Sequence, residues 1–384
     1  MSFIKTSGIR GLNSNSNDLD IHTDGSMTMS NEMAFTNTNM LFGTKNLILN
    51  GDFRWWQRSG NATGITTTSY RAADRYRLAL SSMGTWSETR STDVPNGQFL
   101  YSAKLTCTSA DSSPAAGDLA VYQQWIEGGM CGHIAKGTTD AKKLTLSFWV
   151  KSNITGTFIC ELYDTQNTRA CSKSYTIDTA NTWEKKSLTF PADTIGTLSR
   201  DTNGRLVLQM WLGAGSDHTS GTLQTTWSTA TTANRVVGQT NLAGSANNEI
   251  YFTGIQLEAG SHATAFEFLP YYVQQAQMHR YYFKPHNGSY GWQGRRGGGR
   301  FFRCNNRTQG TLELPVTMRA APSFSASRTY GDGTWGGGTC YASNGWGGAT
   351  APNFVNYESN VDPNSGGGNG GTFGFNVSVS AEIT

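Results

Sequence analysis

The chain has 384 residues, a net charge of +3 and 15% charged residues, against the ~25% of an ordinary soluble domain. Its length allows about two to three domains with a sizeable core, and its 11 Trp, 15 Tyr and 18 Phe exclude a disordered polypeptide. The weak positive balance excludes a dedicated nucleic-acid binder, which needs a strongly basic face.

Residues 1–45 are polar but carry Met27, Met29, Met33, Phe35, Met40, Leu41 and Phe42, too much apolar surface for a solvated tail. Ile21, Met27 and Met33 recur every six residues, and Asp24-Gly25 reads as a turn. Short strands with sparse apolar positions gain burial by packing on copies of themselves. The segment is therefore expected to be an attachment or stem segment.

Residues 46–270 open on Asn-Leu-Ile-Leu-Asn-Gly-Asp-Phe (46–53) and close on Ile-Tyr-Phe-Thr-Gly-Ile-Gln-Leu-Glu-Ala-Gly (250–260), followed by ten more residues. Between these motifs, short alternating runs are separated by Gly, Asn, Asp, Ser and Thr, the pattern of an antiparallel β-sandwich. Four sets define inward faces: Phe99, Tyr101, Ala103, Leu105 and Cys107; Leu144, Leu146, Phe148 and Val150; Phe158, Cys160 and Leu162; and Leu206, Leu208, Met210 and Leu212. Trp149 and Trp211 project away from their aliphatic neighbours and are candidate sugar platforms, because pyranose C–H bonds pack on an aromatic face. Trp55 and Trp56 are expected to point to opposite faces, with one in the core.

Residues 271–283 read as a helical connector, with Pro270 suited to a first turn. Residues 284–384 are expected to form a C-terminal Gly-rich β-sandwich tip domain; 21 of the 45 glycines fall within 286–384. Its Gly-, Asn- and Ser-rich stretches carry Tyr290, Trp292, Trp335, Tyr341, Trp346 and Tyr357, a composition suited to recognition loops. This region is the expected seat of host specificity. The run Gly294 to Arg303, with Arg295, Arg296, Arg300 and Arg303, reads as a glycine hairpin with solvated arginines.

The six cysteines, Cys107, Cys131, Cys160, Cys171, Cys304 and Cys340, contain no Cys-x-x-Cys pair, so zinc and thioredoxin-like readings have no support. Cys107 and Cys160 are expected to be buried free thiols, as in a protein folded in a reducing cytosol. The N-terminus has no apolar core of signal-peptide type, and no stretch reaches membrane-spanning length. Asp52, Asp74, Glu127 and Glu161 could serve a glycosidase, but nothing in the sequence pairs them. No Gly-x-Ser-x-Gly or His-Glu-x-x-His is present, so a non-enzyme is expected.

The two end motifs resemble those of jelly-roll carbohydrate-binding modules. Together with Arg280-Tyr281-Tyr282, Leu314-Pro315-Val316-Thr317-Met318-Arg319-Ala320-Ala321-Pro322 and the strand from Phe373 to Ile383, their order resembles bacteriophage tail fibres and receptor-binding proteins. The resemblance covers roughly 46–384. It implies an all-β, jelly-roll virion protein, made in the host cytoplasm, forming a homotrimer and attached to other phage tail or capsid proteins through 1–45. It implies adhesion to a host surface glycan or lipopolysaccharide, without membrane insertion. It also raises a structural calcium, for which Asp52 and Glu258 are the matching acidic positions. Competing roles are a capsid decoration or head fibre and, behind it, a polysaccharide depolymerase.

Overall fold

The structure is a computed structural model. It describes residues 19–21, 27–29, 45–284, 291–292, 301–304, 307–329, 340–342, 354–359 and 373–383. The chain divides into two compact units, Met1–Thr44 and Lys45–Thr384. In the first, β1 (Leu19–Ile21) pairs antiparallel with β2 (Met27–Met29), Leu19 opposite Met29.

In the second unit, twelve strands run through the expected sandwich: β3 (Asn61–Ile65), β4 (Arg77–Ser81), β5 (Thr85–Ser91), β6 (Ser102–Ser109), β7 (Leu119–Glu127), β8 (Leu144–Ser152), β9 (Gly156–Asp164), β10 (Arg169–Ile177), β11 (Glu184–Phe190), β12 (Gly204–Ala214), β13 (Ser228–Thr229) and β14 (Glu249–Ala259). They form two six-stranded antiparallel sheets. The first has the order β11-β8-β14-β6-β5-β3 and the second β13-β10-β9-β12-β7-β4. A single turn of helix, α1 (Ser216–Thr219), follows β12, and α2 (Tyr271–His279) follows β14.

Strand alternation fills the space between the sheets. Leu144, Leu146, Phe148 and Val150 of β8 meet Phe158, Cys160 and Leu162 of β9 and Leu206, Leu208, Met210 and Leu212 of β12 in one core. A column of rings threads it: Phe53–Tyr76 at 4.7 Å, Tyr76–Tyr122 at 5.0 Å, Tyr122–Phe252 at 6.3 Å, Phe252–Phe148 at 6.2 Å and Phe148–Tyr175 at 5.1 Å. Such pairs contribute about 0.5–1.5 kcal/mol each beyond area burial. Cys107, Cys131, Cys160 and Cys171 are buried free thiols.

The two end motifs are stitched together. Leu47 N–H donates to the Leu257 carbonyl and Ile255 N–H to the Gly51 carbonyl, both at 2.9 Å. The Asn46 side chain donates to the Ile255 carbonyl and accepts from Leu257 N–H. A Cβ on Gly51 would lie 2.1 Å from the Ile255 carbonyl oxygen, so only glycine fits this crossing. Trp56 lies in the main core, as expected of one of the pair. No strand runs through 53–56, and Trp55 is buried as well, in a second cluster with Leu49, Met278, Tyr281 and Ile383.

After α2 come β15 (Tyr282–Phe283), β16 (Gly291–Trp292), β17 (Phe301–Cys304), β18 (Arg307–Glu313), β19 (Ser323–Thr329), β20 (Cys340–Ala342), β21 (Phe354–Ser359) and β22 (Phe373–Ser380). They make two four-stranded sheets, one with β15, β16 and β19 all paired to β22, the other in the order β17-β18-β21-β20. The C-terminal residues return to the sandwich. Glu382 accepts from Arg58 at 3.0 Å and from buried Arg75, and Tyr70 donates its hydroxyl to the Ile383 carbonyl at 2.7 Å. Arg319, from the Leu-Pro-Val-Thr-Met-Arg-Ala-Ala-Pro segment, donates to the Ala381 and Glu382 carbonyls.

Candidate functional site

The outer faces of the two sheets differ. On the second sheet, the segment after β12, which includes α1, covers the outward side chains. Trp211 is 1% exposed and packs with Val121, Ile159 and Val236. Its indole N–H donates to Glu161 at 3.2 Å, and Arg235 grips the same carboxylate with two bonds of 2.9 and 2.7 Å while lying 5.1 Å from the Trp211 ring. Trp211 is therefore not a sugar platform. Sheet alternation gives its direction correctly, but not the loop that closes over it.

On the first sheet, the outward face is open around Trp149. This half-buried residue lies across from Lys185 of β11 on one side and Thr253 of β14 on the other. A groove of about 520 Å³ runs beside it, walled by Phe99, Phe266 and Phe268 and edged by Asn96, Gln98 and Thr264. The three Phe rings cluster with centroids 4.9–5.5 Å apart, Phe266 packing edge to face with both Phe99 and Phe268. Phe268 keeps 48% of its surface exposed.

A β-bulge in β14 between Thr253 and Gln256 makes the wall possible. Gly254 in this bulge has φ +62°, and a Cβ there would sit 2.6 Å from the Phe99 ring. Phe99 thus leans on bare backbone. It was expected on the core face, but β6 begins only at Ser102, so alternation does not extend back to it. Ala103, Leu105 and Cys107 do face the core.

Beside Trp149, the same face carries a second aromatic shelf. Trp183 and Tyr251 meet at 6.1 Å, and Lys151 lies 4.3 Å from the Tyr251 ring. Trp183 donates its indole N–H to Asp93 at 2.8 Å. Sequence reading missed Phe266, Phe268, Tyr251, Trp183 and Lys185. Tyr251 was legible as the outward position between Ile250 and Phe252. Phe266 and Phe268 follow the last strand of the sandwich and gave no periodic signal of their own.

The acidic candidates do not gather here. Glu127 is held by Arg280 at 3.0 and 2.8 Å, Glu161 by Arg235, and Asp74 by Gln57 and Arg58. Burial pushes the Asp74 pKa up to about 6 despite the Arg58 guanidinium. Among the described residues no carboxylate lines the groove. The calcium pair does not fit either. Asp52 accepts from the Gln274 amide at 3.1 Å and faces Arg54 at 3.6 Å; Glu258 accepts from Thr264 N–H and O–H and from Gln256. These neighbours are donors and cations rather than the ring of oxygens calcium takes. Among the described residues no three His, Cys, Asp or Glu cluster as a metal site.

Of the C-terminal candidates, Tyr290, Trp335 and Trp346 lie outside the described residues. Trp292 is paired with Phe373 and Tyr341 with Glu358 in their sheets; their side chains, like that of Tyr357, lie outside the described residues too.

Fold and groove together define an all-β protein with an aromatic-lined groove on the outer face of a jelly-roll-type sandwich. No protein-family model matches the chain, and no curated protein matches it significantly. Among solved structures it is similar to the enzymatically active domain of bacteriophage CBA120 tailspike protein 4, at 17% identity and TM-score 0.30, over 56% of this chain and 21% of that one. It thus corresponds to about a fifth of that tailspike structure. It is also similar to a family 11 carbohydrate-binding module of Clostridium thermocellum in complex with a β-1,3-1,4-mixed-linked tetrasaccharide, at 9% identity and TM-score 0.29, over 53% of this chain and 99% of the module. A third likeness is to the baseplate tripod of bacteriophage Tuc2009, at 14% identity and TM-score 0.24, over 59% of this chain and 58% of that one.

Proposed function

We propose that this chain is a glycan-binding, non-catalytic adhesin of a phage virion, a tail fibre or receptor-binding protein. The observation that carries the reading is the open groove at Trp149. A half-buried indole stands beside the exposed Phe268 ring, the half-buried Phe266, amides, a hydroxyl and an ammonium, with no carboxylate among the described lining residues. Aromatic faces accept the apolar face of a pyranose, and the polar rim meets its hydroxyls, while general acid–base cleavage needs two carboxylates flanking the bond. The virion role rests on the ordered motifs of 46–384. The C-terminal aromatics Trp335 and Trp346 supply a further contact region for host specificity. Three copies joined through 1–45 and the C-terminal sheets give weak single-site binding its avidity.

The test is a paired assay on purified bacterial envelope polysaccharides. Retention of the protein with no rise in reducing ends over hours is expected. Steady release of reducing ends would replace the adhesin with a depolymerase.

A further inference from the structure

Among the described residues that line the groove, one is charged. Lys185 is exposed and lies directly across the β11–β8 pair from Trp149, so both residues sit on one face and line the same groove. Directly opposed side chains on a sheet begin about 5 Å apart. Nearby lysines are engaged: Lys104 pairs with Glu249 at 2.6 Å, Lys151 with Asp93, and Lys186 with Asp178 at 3.1 Å. Lys185 makes no ion pair among the described residues, and no acid lines the groove to neutralise it. An uncompensated cation in a cleft with apolar walls focuses positive potential where a ligand sits.

We infer that the groove selects an acidic polysaccharide, with a hexuronate ring stacked on Trp149 and its carboxylate bonded to the Lys185 ammonium. This rests on the glycan-binding reading above and narrows its substrate class. When a pyranose lies with its C–H face on an indole, an equatorial carboxylate at C5 projects past the ring edge. An ammonium one strand over stands where that group arrives. The contact is a charge-assisted hydrogen bond, stronger than one to a neutral hydroxymethyl. The phenyl walls lower the dielectric around it and the Asn96 and Gln98 amides serve the remaining hydroxyls.

The experiment titrates the full chain calorimetrically with alginate, polygalacturonate and hyaluronate oligosaccharides, and with each after carboxyl reduction to its neutral counterpart. Wild type, Lys185→Gln and Trp149→Ala are compared. At least one acidic oligosaccharide is expected to bind, carboxyl reduction to weaken it about tenfold or more, and Lys185→Gln to lose a similar factor for the acidic form but only about twofold for the reduced form. Trp149→Ala should weaken both forms. Equal affinity for acidic and reduced forms, or an unchanged Lys185→Gln, would overturn the acidic-ligand inference while leaving the groove reading intact, provided Trp149→Ala still lost affinity. Binding indifferent to Trp149→Ala, or no binding of any form by wild type, would overturn both.

Discussion

Trp211 and Glu161 share a hydrogen bond of 3.2 Å made entirely inside the protein, beneath the segment that follows β12. Trp149, outward on the facing sheet, is left beside an open groove. Two residues of the same type in equivalent strand positions therefore have different jobs. Trp211→Ala should destabilise the protein by about 3–5 kcal/mol, the range for a buried Trp lost to a cavity. Trp149→Ala should change stability by less than about 1 kcal/mol. Urea unfolding of both variants checks this; equal losses would mean that Trp149 is also a core residue.

The groove wall depends on Gly254. Gly254→Ala places a methyl within 2.6 Å of the Phe99 ring on backbone of φ +62°. Strain of about 1–3 kcal/mol is expected, with Phe99 displaced toward the groove. Melting temperature and glycan affinity should fall together. A fall in melting temperature with full affinity would show that the Phe99 wall is dispensable.

Glu88 gives the sandwich a pH dependence. It is fully buried, accepts from the Tyr122 hydroxyl at 2.7 Å and the Ala73 amide at 3.3 Å, and leaves one oxygen unpartnered. Burial raises its pKa from 4.5 to about 7. A folded-state pKa above the unfolded one means the folded state holds the proton more tightly. The stability this contributes is complete below the unfolded value and lost as pH rises through about 7. Glu88→Gln should therefore be more stable than wild type at pH 8, by on the order of 2 kcal/mol, and flatter across pH 5–8. Melting curves over that range that track the wild type would disprove it.

The C-terminus is clamped to the sandwich by charge. Arg75 is 1% exposed and pairs with Glu382. Glu382→Ala leaves that guanidinium buried without its counter-charge, at a cost of about 3–5 kcal/mol. A fragment of 46–270 keeps the main core but loses Met278, Tyr281 and Ile383 from the second cluster as well. It should unfold cooperatively at a lower denaturant midpoint than the full chain. A Glu382→Ala variant as stable as wild type would show that the Arg319 and Tyr70 bonds to backbone carbonyls hold the terminus alone.

The sandwich was legible because its strands alternate cleanly. Leu144 to Val150 and Leu206 to Leu212 announce two faces, and sheet geometry supplies the rest. What stayed hidden depends on contacts distant in sequence. Phe99 lines the groove because a bulge in β14, more than 150 positions later, makes room for it. Trp211 is buried by a polar, Thr-rich segment that periodicity reads only as a loop. Lys185 is an ordinary exposed lysine until the β11–β8 register sets it beside Trp149. Alternation assigns a side chain to a face; it does not say whether another segment covers that face.

The open groove at Trp149 is the proposed glycan-binding site. The most direct measurement is binding of the full chain and of Trp149→Ala to an array of purified bacterial surface polysaccharides, with melting temperatures recorded in parallel. Wild type should bind a defined subset of the array. Trp149→Ala should lose about tenfold or more of that binding with its melting temperature unchanged, while Trp335→Ala/Trp346→Ala retains binding by the groove. A Trp149→Ala protein that melts and binds as wild type does would rule out glycan binding at Trp149.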